Sequence, residues 1–139
     1  MRENISDSIR FQQLLAPVSQ GSNVNSASMD LKDADMAAIK VSTGATVDAG
    51  LTAQIEESED DSTFTAIPDA AGVAIAADAL AVSKEYLFEI DARLRMRYVR
   101  VAFVCPGTSL IQADGLISKT REAPVTQATE VTKAQLFRV

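Results

Sequence analysis

The stretch IEESEDDSTFTAIP, residues 55–68, places Glu56, Glu57, Glu59, Asp60 and Asp61 within six positions. Such a density of carboxylates has three chemical readings. It could bind a hard cation, supply an acid and base pair, or form the solvated tip of a hairpin. A calcium loop needs several oxygens at set spacings, a glycine at its sharp turn and a closing bidentate glutamate. This stretch has neither the glycine nor the closing residue, which favours a turn without metal over residues 56–61. In such a turn Asp and Ser support the backbone locally. Paired carboxylates could also serve a glycosidase. Those sites usually carry aromatic platforms, however, and the chain has five Phe, two Tyr and no Trp.

The other reactive residues are sparse. There is no histidine, the commonest general base and metal ligand. The six glycines are scattered singly, so no phosphate-cradling loop is present. Cys105 is the sole cysteine; it sits at the end of an apolar run with no partner to activate it and reads as an inert buried thiol. We therefore expect a protein that is not an enzyme and needs no cofactor. In RLRMRYVR, residues 93–100, an extended backbone would put Arg93, Arg95 and Arg97 on one face. That arrangement is either a solvated hairpin or a cationic stripe for docking an acidic surface.

Charge divides the chain. Residues 1–92 carry a net charge of −11 and residues 93–139 one of +5, within an overall −6. Opposite faces could therefore meet neighbouring molecules. An acidic chain is a poor match for phosphate backbones, so direct nucleic-acid binding is not expected. No apolar run approaches the ~18 residues of a membrane span, and MRENISDSIRF lacks the apolar core of a cleaved signal.

The elements that position these residues are short and alternate with period two, the pattern of strands buried on one face. Strands are expected at VNSASMDL (24–31), MAAIKVST (36–43), LTAQIEES (51–58), STFTAI (62–67), EYLFEID (85–91), RYVRVAFV (97–104) and SLIQADGLIS (109–118). Residues 1–9 read as an arm or a short helix. SDSIRFQQLLAP reads as a weak helix blocked by Pro17 or as an extended edge. Residues 69–85 read as a long connection with one helical turn. ARLRM is short enough to make 85–91 and 97–104 a hairpin. Gly115 suggests a bulge. Tyr86, Phe88 and Ile90 share one face, as do Val99, Val101 and Phe103. Seven or eight such strands predict an all-β, antiparallel β-sandwich of jelly-roll type over residues 1–118, with extended terminal arms. Residues 119–139 read as a C-terminal arm whose apolar hook is Leu136 and Phe137. Helped by the arginine stripe, this arm is expected to reach a neighbouring molecule.

These motifs carry a resemblance. A strand ending in MDL, one ending before STG, the hairpin EESEDDSTFTAIP, then RYVRVAFV and a closing strand near ADGLI form an order similar to that of tailed-phage capsid cement (decoration) proteins. That group, which includes proteins of short-tailed phages, shares an acidic hairpin of ESDDGSTFT type and a later RYVRV strand. The resemblance spans about residues 10–118. It departs at the hairpin, where Asp61-Ser62 replaces the usual Gly. The resemblance implies a structural virion protein with no catalytic residues, on the outside of an icosahedral head. It would bind the major capsid protein, bridge its subunits and pair with itself as a homodimer. From a different functional class, a ligand- or sugar-binding β-sandwich module of a phage tail or adhesion complex fits the same pattern; a small tail subunit is a third reading.

Overall fold

The computed structural model describes residues 9–69 and 71–118. These form ten strands and no α-helix: β1 (Ile9–Gln20), β2 (Val24–Asn25), β3 (Met29–Asp30), β4 (Met36–Thr43), β5 (Thr52–Ser58), β6 (Thr65–Ala66), β7 (Asp78–Ala79), β8 (Glu85–Asp91), β9 (Tyr98–Val104) and β10 (Ser109–Ser118). All pairings are antiparallel. One sheet has the order β1-β10-β4-β8; the other has β2-β9-β5-β6, with β3 also on β9 and β7 also on β5. The expected antiparallel sandwich is therefore the fold.

The period-two pattern sorts the side chains. In β4, Ala37, Ile39, Val41 and Thr43 are buried while the residues between them are half-buried. In β9, Val99, Val101 and Phe103 are buried. These faces meet with Met29, Leu51, Ala53, Ile111 and Ile117 in a single core. Aliphatic side chains supply nearly all of it, as the low aromatic content requires.

Several local expectations need correction. Residues 24–31 do not form one strand. Asn25 pairs with Ala102 and Met29 with Val99, so three residues of this segment oppose two of β9. The mismatch is stabilised by Ser26, which is buried and whose Oγ accepts the Val101 N–H at 3.0 Å. The chain therefore touches β9 as β2 and β3, as in a bulge. Of the two readings of residues 10–20, a weak helix or an extended edge, the extended edge holds: β1 is the first strand of its sheet and pairs with β10 from Ile9 to Gln20. Its register shifts on either side of Leu15, and Pro17 lies in the second irregular stretch, where a residue without an N–H is tolerated. Among the described residues of 69–85 there is no helical turn. Asp69 Oδ1 accepts the N–H groups of Ala71 and Val73, and a Pro68–Ala74 bridge closes a small excursion. The chain then returns to β5 as β7.

The correction at β8 and β9 matters most. β8 and β9 are not a hairpin, since β8 pairs with β4 and β9 with β5. A 3-10 turn at Ala92–Leu94 separates them, capped by Asp91, whose side chain accepts the Arg93 N–H. Ala92 is buried and donates its N–H to Asp35 O. This anchored turn carries the chain from one sheet to the other, which a two-strand hairpin could not do.

Gly115 is not a bulge either; β10 runs unbroken against β4 through the pair Gly115–Ile39. Its role is close approach, because a Cβ there would collide with the Met29 side chain of the opposite sheet. Gly115→Val should cost about 1–3 kcal/mol by overpacking. Adding Met29→Ala should recover part of that loss, because it empties the contested space. Urea denaturation of the single and double variants checks both values, and an unchanged midpoint for Gly115→Val would show that the sheets have slack at this point.

Candidate functional site

The acidic stretch divides between strand and tip. Glu56 and Glu57 belong to β5, and Glu57 pairs in register with Val99. Glu57 follows Leu51, Ala53 and Ile55 on the inward face and is 4% exposed. Its Oε2 accepts the Met96 N–H at 3.1 Å, and its Oε1 lies 3.6 Å from Arg95 Nη1. Glu56 binds Arg100 at 2.8 Å, and that guanidinium lies over the Phe64 ring. The expected exposed turn over 56–61 is thus confined to Glu59, Asp60 and Asp61.

Asp60 organises that tip. Its Oδ1 accepts the N–H groups of Thr63 and Ser62 and the Ser58 hydroxyl. The Thr63 N–H foremost, then Ser58 and Ser62, hold its carboxyl below the ordinary aspartate value. Asp61 takes the left-handed conformation, with φ 59°, which explains how the hairpin turns without glycine; aspartate tolerates this region better than most residues. Its carboxylate also accepts the Ser28 hydroxyl. These oxygens serve the turn, and among the described residues no group of three or more His, Cys, Asp or Glu side chains is arranged to hold a metal.

Arg93, Arg95 and Arg97 do not lie on one extended face, the geometry on which the reading as a stripe depended. The turn at Ala92–Leu94 breaks the alternation, and each guanidinium has its own carboxylate. Arg93 pairs with Asp91 at 2.9 Å, Arg95 with Glu57, and Arg97 with Asp30 at 2.9 Å. The hydrogen bonds that Arg97 donates to Asp30 raise the Arg97 pKa above its ordinary value, and those to Asp91 do the same for Arg93. These ion pairs join Arg93, Arg95 and Arg97 of the basic second half to carboxylates of the acidic first half. Leu136 and Phe137 lie outside the described residues. Cys105 is buried, which pushes its thiol pKa up and weakens it as a nucleophile.

The surface that stands out is apolar. Between β8, the last strand of its sheet, and the Ile67–Asp78 border of the other sheet lies a groove of about 440 Å³. Ala53, Ile55, Ile67, Phe88 and Ile90 are among the residues lining it. At its mouth Ile75, Leu87 and Leu94 are 51%, 60% and 72% exposed. Asp78, Glu89, Asp91 and Arg95 supply the polar rim. Asp91 and Arg95 are paired within the domain, whereas no ion pair engages Asp78 or Glu89 among the described residues.

One signal for this groove was present in the sequence. Leu87 interrupts the polar face Glu85-x-x-x-Glu89-x-Asp91 of β8, and an apolar residue there has no place in the core. Leu94 was hidden in ARLRM, which reads as a link. Ile75 could be placed only by the pairing of residues 67–79 along β5. No protein-family model matches the chain, and no curated protein sequence matches it.

Proposed function

We propose that this chain is a structural virion protein, a cement or decoration protein that docks on the outside of a phage head and bridges major capsid subunits. Two features support the reading. One is the resemblance of the MDL, EESEDDSTFT and RYVRV segments and their order to phage cement proteins. The other is topological. Counting β2–β3 and β6–β7 as interrupted single strands, the sheets run first-eighth-third-sixth and second-seventh-fourth-fifth, an order we read as a jelly roll, an architecture found in viral capsid and lectin domains.

The observation that carries a binding role is the groove mouth. Ile75, Leu87 and Leu94 remain exposed although the core of the sandwich is closed without them. Clustered apolar surface with a polar rim marks a protein contact better than scattered single residues do. A sugar-binding module would be expected to present an open stacking platform, and the six described aromatic side chains are all buried or half-buried. A cement protein acts by favouring the assembled shell over free subunits, through mass action.

Purified chain added to heads stripped of their decoration should sediment with them and raise their disruption temperature. Leu87→Asp with Leu94→Asp should leave the thermal melt of the free chain unchanged. It should also weaken head binding at least about tenfold, since burying one leucine is worth about 1.5–3 kcal/mol. Sedimentation with isolated tails and not with heads would make the chain a tail subunit instead.

A further inference from the structure

β8 is an open edge. It pairs with β4 through every residue from Glu85 to Asp91, and its other side has no strand among the described residues. Such an edge presents a row of backbone donors and acceptors that can template another strand. The side chains state what kind of strand fits. Tyr86, Phe88 and Ile90 turn inward, and Phe88 and Ile90 line the groove. A strand laid beside β8 would therefore direct every second side chain towards that apolar floor. Its alternate side chains would stand beside Glu85, Leu87, Glu89 and Asp91. Lys40 engages Glu85 and Arg93 engages Asp91, which leaves Glu89 as the outward carboxylate of β8 without an ion pair among the described residues.

A second copy of β8 is a poor occupant. Two-fold antiparallel pairing centred on Leu87 sets Glu85 opposite Glu89. Centring on Phe88 sets Glu85 opposite Asp91, and centring on Glu89 sets that residue opposite itself. Like charges directly opposite destabilise a sheet, whereas opposite charges contribute. We infer that β8 and its groove take an extended segment of a different protein chain, added as a strand, with apolar side chains facing the groove and Lys or Arg facing Glu89. This rests on the decoration reading only for the identity of the partner, a basic extended segment of the shell; the edge chemistry stands without it.

The test uses the full chain and a synthetic decapeptide alternating valine with lysine. Amide exchange across β8 should slow when the peptide is added, and a peptide alternating valine with glutamate should have no such effect. Glu89→Lys should weaken the lysine peptide about fivefold, the scale of one cross-strand charge pair. The inference is overturned if β8 exchange ignores the lysine peptide, or if both peptides slow it equally. It is also overturned if exchange slows with protein concentration alone, which would assign the edge to a second copy. No heads are used, so a failure here is separate from a failure to sediment with heads.

Discussion

Phe103→Ala is expected to lower stability by about 3–5 kcal/mol, the range for emptying a buried aromatic site. Phe103 is the largest of the fully buried side chains, at 1% exposure. It lies at the crossing of two ladders, opposite Val24 on one side and Ala53 on the other. Neither neighbour is large enough to fill the space, so collapse of the cavity should recover little. A loss of this size is a large share of the 5–15 kcal/mol that holds a typical domain folded. Chemical denaturation of wild type and variant measures it. A loss below about 1 kcal/mol would mean that the two sheets close over the gap, contrary to close-packed interiors.

Glu57→Ala should be the most damaging change among the charged residues, at about 2–4 kcal/mol. Removing one partner of a buried ion pair strands the other charge. Here it also removes the acceptor of the Met96 N–H. Arg95 would be left with only a quarter of its side chain in water, and its buried Nη1 already has no hydrogen-bond partner. That residual access to solvent keeps the expected cost below the full value for a sealed pair. By contrast, Asp91→Ala and Asp30→Ala break more exposed pairs, which are typically worth 0–1 kcal/mol. Replacing Glu57 and Arg95 together with leucine should recover much of the loss, since apolar substitutes for a buried pair are often neutral. A double-mutant cycle on the two positions measures the coupling. A cycle that sums to zero would show that Glu57 acts through Met96 alone. Because Arg95 lines the groove, Glu57→Ala should also loosen the end of the groove where β8 gives way to the turn.

Composition and alternation were enough to determine the class of fold and most of its strands. MAAIKVST, EYLFEID and SLIQADGLIS are the strands β4, β8 and β10 as read, because period-two burial is a local property that each segment carries in its own residues. The inward faces of β8 and β9 were legible for the same reason. Strand partnership was not. ARLRM has the length of a hairpin loop, yet the buried Ala92 and the Asp91 cap send the chain across to the other sheet. Length constrains a connection without choosing which sheet receives it. The same limit governs the charges. Arg93, Arg95 and Arg97 look like a set in the sequence, but their carboxylates come from Asp91, Glu57 and Asp30. Glu57 and Asp30 lie on β5 and β3, distant in sequence, so only the assembled sandwich could neutralise the set. The groove is likewise a product of assembly: its walls come from β5, the 67–78 border and β8, segments that meet only when one sheet packs on the other and leaves an edge uncovered.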